Sequence, residues 1–172
     1  MQSIYVISGK DFAKYNPELD WSGRLFNQYK EIIPLRNCAG VYAFTMCGEI
    51  VYIGSSTNLF GRLQTHIANI QGKTNARSTN LKWKKYHYIN KHISHVQFHI
   101  IETFDVNITK EQLESIEYQY IKQYRPIFNI NYKDELMMWG GSEQDIDNFV
   151  NGIVSMSGLK NNIQMIRKET NK

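Results

Sequence analysis

Five side chains in this sequence are of the types that phosphoryl chemistry uses: Tyr42, Tyr52, Arg62, His66 and Glu117. Glu117 is the most informative of them. A helix read from Thr109 to Tyr124 carries Leu113, Ile116, Tyr120, Ile121 and Tyr124 on one face. Glu117 lies four residues from Leu113 and Ile121 and three from Tyr120, inside that apolar stripe. An unpaired buried carboxylate costs several kcal/mol of desolvation. The spacing therefore calls for a partner, either a buried arginine in a structural ion pair or a metal ion. Arg62 and His66 stand four residues apart at the border of another helix's stripe, so both can face one site. An arginine offers fixed donors that suit a phosphate, and a histidine accepts or relays a proton near neutral pH. The plainer reading of that pair is an exposed polar edge. Tyr42 and Tyr52 lie on two strands, where tyrosine ordinarily packs. A tyrosine acting as base needs help, because its usual pKa of about 10 leaves it protonated at neutral pH. A nearby cation or a metal-bound water gives that help.

The elements that must position these residues follow from periodicity. Val41 to Phe44 and Ile50 to Ile53 are β-branched and aromatic runs around a turn at Cys47-Gly48, which predicts a hairpin. Ser55 to Asn58 gives a loop and a helix cap, after which Leu59, Leu63, Ile67 and Ile70 recur at helical spacing. A polar loop leads to a helix over residues 81–92, and Val96, Phe98 and Ile100 alternate as a third strand. Thr109 and Gln112 form a capping box, and Arg125-Pro126 ends the helix that it starts. The order β-β-α-α-β-α implies an α+β (α/β) fold, a small three-stranded mixed or antiparallel sheet flanked by helices. Residues 39–132 form its body. An N-terminal extension, 1–38, holds a short strand at Ile4 to Ile7 and a helix from Gly23 to Ile33. A C-terminal helical extension, 133–172, has Ser142 as cap and Ile146, Phe149, Val150, Ile153 and Val154 as its stripe.

The charge is distributed unevenly. Twenty basic against sixteen acidic residues leave +4 over 172 residues, about one domain's worth of chain. Between Glu49 and Glu102 there is no acidic residue, while Arg62, Lys73, Arg77, Lys82, Lys84, Lys85, Lys91 and all five histidines fall there. Such a segment points to a polyanion bound on one face. Lys82, Lys84 and Lys85, interleaved with Trp83, Tyr86 and Tyr88, suggest backbone contacts to nucleic acid, with a solvated amphipathic helix as the alternative. His87, His92, His95 and His99 have no Cys or Asp among them and do not read as a zinc site. His95 and His99 share the parity of Gln97, which predicts a solvated face. No apolar run reaches the roughly 20 residues that span a bilayer. Met1 to Asp11 lack the pattern of a signal peptide. Cys38 and Cys47 read as two reduced thiols in an intracellular, cytoplasm-like compartment.

In order, the motifs are more specific than any one of them. Gly40-Val41-Tyr42 and Tyr52-Ile53-Gly54 sit ten residues apart, followed by Asn58-Leu59-x-x-Arg62-x-x-x-His66 and by the run from Ile116-Glu117 to Arg125-Pro126-Ile127-Phe128-Asn129. This set resembles the GIY-YIG nuclease family over about residues 39–132. The Glu117 helix and its loop are especially similar to the form in the N-terminal nuclease of bacterial excision repair, and Leu81 to Glu102 to a stretch of intron-encoded homing members. The resemblance implies the GIY-YIG fold, with Tyr42 and Tyr52 at the reacting water and one of them as general base. It implies Arg62 on the scissile phosphate, His66 assisting proton movement, and Glu117 as ligand of one divalent ion, Mg²⁺ or Mn²⁺. Asn129 would support the rim of the site and join Lys73, Arg77, Lys82, Lys84, Lys85 and Lys91 at the nucleic acid. Ser55 stands where some members place a lysine. The expected function is a metal-dependent endonuclease on double-stranded DNA, homing- or restriction-like and site-specific, with no membrane association. Nicking or double-strand cutting then depends on whether two copies meet as a homodimer on the duplex. The alternatives are a structure-specific repair or junction nuclease and a non-catalytic nucleic-acid-binding module. The intact set of five residues argues against the last.

Overall fold

The computed structural model describes residues 5–8, 11, 35, 37–71, 81–105, 107–129, 144 and 147–156. Its spine is strand β2 (Ala39–Met46), buried at every position. Such complete burial requires strands on both sides and cover on both faces. Strands β3 (Glu49–Ser56) and β4 (Val96–Phe104) pair with it antiparallel. Strand β1 (Tyr5–Ser8) then pairs antiparallel with β4, giving the order β1-β4-β2-β3. The sheet is thus four-stranded and wholly antiparallel, where the body of the sequence implied three strands. The N-terminal run reaches the sheet because β4 would otherwise present an open row of peptide groups.

Side chains alternate across the sheet, and each face has its own core. Tyr42, Phe44, Met46, Phe98 and Ile100 face helix α1 (Leu59–Ile70) and helix α2 (Leu81–Lys91). Leu59, Leu63, Ile67 and Ile70 are all buried there, as their spacing predicts. On the opposite face Ala39, Val41, Ala43, Ile53 and Ile101 meet Leu113 of helix α3 (Lys110–Tyr124). The two alanines on that face let α3 approach closely, while the larger rings fill the other side. Each fully buried aliphatic or aromatic side chain contributes about 1.5–3 kcal/mol relative to exposure.

The connections obey local rules. Cys47 and Gly48 both have positive φ, 53° and 89°, as a two-residue hairpin turn matched to strand twist demands. Asn58 caps α1 by accepting from Gly61 N at 2.9 Å. The Thr109–Gln112 capping box is formed, and α3 ends at Arg125 in the left-handed region before Pro126. A helical run at residues 147–156 sends Val150 and Ile153 into the first core, and its Asp147 accepts from the Tyr88 hydroxyl at 2.7 Å. Ser142, Ile146 and the helix read from Gly23 to Ile33 lie outside the described residues. Gln97 and His95 are exposed, but His99 is half-buried and its Nε2 lies 2.9 Å from the Thr45 hydroxyl. Thr45 sits on the buried central strand, where a polar group needs a partner.

Candidate active site

Tyr42 stands opposite Gly54 across the β2–β3 ladder. Its ring occupies the space where a residue-54 side chain would go, since a Cβ there would lie 2.5 Å from the Tyr42 hydroxyl. The ring stacks on Phe98 and is 1% exposed. From α1, His66 brings Nε2 to 2.7 Å from that hydroxyl and Nδ1 to 2.9 Å from the hydroxyl of Tyr86 on α2. His66 is 2% exposed, with Phe44 edge-on at 5.1 Å between ring centroids. Burial, then the charges of Lys85 and Arg62, hold its pKa well below 6.5. A neutral imidazole has one donor and one acceptor nitrogen. Placed between two hydroxyls, it can take a proton from one and return a proton to the other.

The same depression ties fold stability to pH. Below pH 6.5 the unfolded chain takes up a proton at His66 that the folded chain refuses. Stability present above pH 6.5 is therefore lost as the pH falls, by at most about 1.4 kcal/mol per pH unit for one such group. Urea midpoints measured at descending pH should drop, and His66→Gln should flatten that slope. Equal slopes in the two proteins would remove His66 from the linkage.

Tyr52 of β3 lies beside this line, its ring centroid 6.2 Å from that of Tyr42 and 6.0 Å from that of His66. It is half-buried, whereas Tyr42 is enclosed. Of the two tyrosines, Tyr52 is the one open to a substrate. Burial and then the negative charge of Glu117 push its pKa up to about 12, while the Tyr42 hydroxyl and Arg62 pull the other way. Arg62, one turn before His66, is exposed, and its charge acts on Tyr42, Tyr52, Tyr86, His66 and Glu117 together. The guanidinium therefore sits at the mouth of one cluster.

Glu117 reaches this cluster from the other face of the sheet. The Ser55 hydroxyl, at the end of β3, donates to Glu117 Oε2. Burial raises the Glu117 pKa, and hydrogen bonds from Ser55 oppose the rise. Among the described residues no three His, Cys, Asp or Glu side chains group to cage a metal. One carboxylate with hydroxyls nearby is a hard oxygen set. It suits Mg²⁺ or Mn²⁺, which keep most of their waters, and not a fully protein-ligated zinc.

Tyr42, Tyr52, Arg62, His66 and Glu117 thus come together, and the arrangement enlists three residues that the sequence reading placed elsewhere or passed over. Tyr86 was read with the basic helix at the nucleic acid, and Ser55 only as standing where some members place a lysine. Lys85, expected on an exposed basic face, is 4% exposed with Nζ 3.4 Å from the Tyr52 ring centroid. Its signal was its place three residues before Tyr88 and four before Ile89, both buried. Asn129, expected at the nucleic acid, clamps the outer edge of β3. Its Oδ1 accepts from Ile53 N at 2.7 Å and its Nδ2 donates to Ile53 O at 2.6 Å. That bracket fixes the peptide between Tyr52 and Gly54, and Phe128 N extends it to Val51 O at 2.8 Å. Lys91 is exposed at the end of α2. Lys73 and Arg77 lie outside the described residues, as do the side chains of Lys82 and Lys84.

Comparison with known proteins points the same way. UvrABC system protein C of Paenarthrobacter aurescens (strain TC1) is 28% identical over 99 residues, 56% of this chain and 12% of that protein. UvrABC system protein C of Shewanella putrefaciens (strain CN-32 / ATCC BAA-453) is 26% identical over 114 residues, 64% of this chain and 16% of that protein. The chain therefore spans a small part of these relatives. Among solved structures, the GIY-YIG N-terminal endonuclease domain of UvrC from Thermotoga maritima, bound to magnesium, aligns over 60% of this chain and 97% of that one. The identity there is 22% and the TM-score 0.37. The family model for the GIY-YIG catalytic domain matches residues 38–131. With that match over more than half its length, and with both tyrosines, the arginine, the histidine and the glutamate gathered in one cluster, the chain belongs to the GIY-YIG family.

Proposed function

We propose that the chain hydrolyses phosphodiester bonds in DNA with one divalent cation, Mg²⁺ or Mn²⁺, held by Glu117. The observation that carries this reading is the convergence of a hydrogen-bonded Tyr42–His66–Tyr86 line, the half-open Tyr52, the exposed Arg62 and the half-buried Glu117 at one end of the sheet. When bound, the cation supplies a charge that polarises the phosphate and stabilises the leaving oxygen. Arg62 binds the phosphate and offsets the charge that builds on it. Tyr52 passes its phenol proton to the hydrogen-bonded Tyr42 hydroxyl as it takes one from the attacking water, and Tyr42 in turn gives its own proton to His66 Nε2. As the water oxygen bonds to phosphorus, the bond to one bridging oxygen breaks, and that oxygen leaves with a proton from solvent.

For the target, a structure-specific nuclease acting on branched or distorted duplex is better supported than a homing- or restriction-like enzyme. Both curated relatives are UvrABC system protein C, and Lys85, counted toward an exposed recognition face, is turned inward. Lys91 remains as an exposed basic contact to the DNA backbone. A single copy nicks one strand, and a homodimer across the duplex would cut both. Cys38 and Cys47 are not joined in a disulfide, in keeping with a reducing compartment, and no helix of the described residues is long and apolar enough to cross a membrane.

The test is cleavage of supercoiled plasmid, linear duplex and a branched duplex with Mg²⁺ and with EDTA. Cutting should need Mg²⁺ and favour the branched substrate. No Mg²⁺-dependent cutting of any DNA would leave a binding module, and product ends at one fixed sequence would restore the site-specific reading.

A further inference from the structure

A DNA-backbone lysine belongs on the surface, as Lys91 is, where its ammonium keeps its water. Lys85 has given that up. It is 4% exposed, with Nζ 3.4 Å from the centre of the Tyr52 ring and 5.1 Å from that of Tyr86. Desolvating an ammonium is costly unless its surroundings compensate, and aromatic faces compensate in part. The groups facing Tyr52 are Tyr42 from β2, Arg62 and His66 from α1, Tyr86 and Lys85 from α2, and Glu117 from α3. Glu117 opposes a negative charge on the Tyr52 oxygen, and Arg62 supports one from an exposed position where salt screens it. Lys85 supports one from beneath, out of reach of salt. A cation against a phenol ring interacts more strongly with the phenolate than with the phenol.

We propose that Lys85 is a positioning residue of the cleavage reaction, holding the Tyr52 ring and stabilising negative charge on its oxygen, and does not contact the nucleic-acid backbone. This rests on the nuclease reading of the same site. It also accounts for one lysine of the basic segment being sequestered.

The test uses the full chain with supercoiled plasmid and MgCl₂. At saturating DNA, Lys85→Met should cut about a hundredfold more slowly, the lower end of what proton-transfer assistance contributes. Its affinity for duplex and the salt dependence of that affinity should match the parent's. Lys85→Arg, which keeps the charge, should retain far more activity than Lys85→Met. Ethylammonium should speed Lys85→Ala where ethanol at the same concentration does not. Melting curves establish that each variant folds, and the arginine variant and the amine rescue decide the matter if Lys85→Met does not. Parental cutting by Lys85→Met overturns the proposal. So does a loss of affinity with a shallower salt slope at an unchanged saturated rate, which would make Lys85 a backbone contact. Equal rescue by ethanol would make it a space filler. A parent that cuts no DNA sinks the nuclease reading and this proposal together, whereas a parent that cuts beside an unaffected variant sinks this one alone.

Discussion

Glu117→Gln should cut DNA on the order of 10³-fold more slowly than the parent, since holding the ion supplies several kcal/mol of transition-state stabilisation. Duplex affinity should stay near the parent's, because the change removes a negative charge without removing a donor to phosphate. Stability gives an independent readout. Burial raises the Glu117 pKa above its ordinary 4.5. The folded state therefore binds its proton more tightly than the unfolded chain, and that advantage is lost as the pH rises through the folded pKa. Above the folded pKa and without metal, the ionised carboxylate is a burden on the fold. Glu117→Gln relieves it, so in EDTA the variant should melt at or above the parent's temperature. Mg²⁺ should then raise the melting temperature of the parent and not of the variant, because an ion that binds only the folded state stabilises it by mass action. A variant that cuts at full rate, or that gains stability from Mg²⁺ like the parent, would mean that the ion sits elsewhere.

The second large effect concerns two glycines whose backbone angles are unremarkable. Neither Gly40 nor Gly54 has positive φ, so space and not conformational freedom requires them. A Cβ on Gly40 would overlap the backbone carbonyl oxygen of Glu102 on the neighbouring strand and stand 2.8 Å from Leu59 Cδ1. Paired backbone in the middle of a sheet cannot yield cheaply. Gly40→Ala should cost about 3 kcal/mol or more, lowering the melting temperature by roughly 10 °C in a chain of this size. Gly54→Ala meets the Tyr42 hydroxyl and Cζ at 2.5 and 2.6 Å, the far end of an enclosed ring that gives way only by swinging as a whole, though more readily than paired backbone. It should lose less stability, but the swing takes the hydroxyl away from His66, so activity should fall more steeply than stability. Similar losses of melting temperature in the two variants, or full activity in Gly54→Ala, would contradict this account.

What could be read before the structure was mostly local. The hairpin turn, the Thr109 capping box and the Leu59 to Ile70 stripe each depend on residues within a turn or two of one another, and each is present. Glu117 was legible as a carboxylate where periodicity demands an apolar residue. The family pattern placed five reactive side chains without saying how they touch. Contacts made across long stretches of chain left no such trace. The Asn129 clamp on Ile53 spans 76 residues, and nothing near either residue announces it. Lys85 failed for another reason. A charge on a basic helix is normally solvated, and the nearest ring that takes it in, Tyr52, belongs to another element. The fourth strand was visible only as four residues of weak pattern, and its place beside β4 is set by the open edge it covers.

The Asn129 and Phe128 clamp also bears on assembly. β3 is the last strand of the sheet on its side, the position where a second chain would most readily add a strand. Ile53 N, Ile53 O and Val51 O are instead engaged by the chain's own loop after α3. The outer margin of the sheet beside Tyr52 is thereby closed to strand exchange. Two copies meeting on a duplex would therefore not join by pairing β3 with β3. Each would keep its reactive end facing the DNA, and association would leave the spacing of Tyr52 and Gly54 within each copy unaltered.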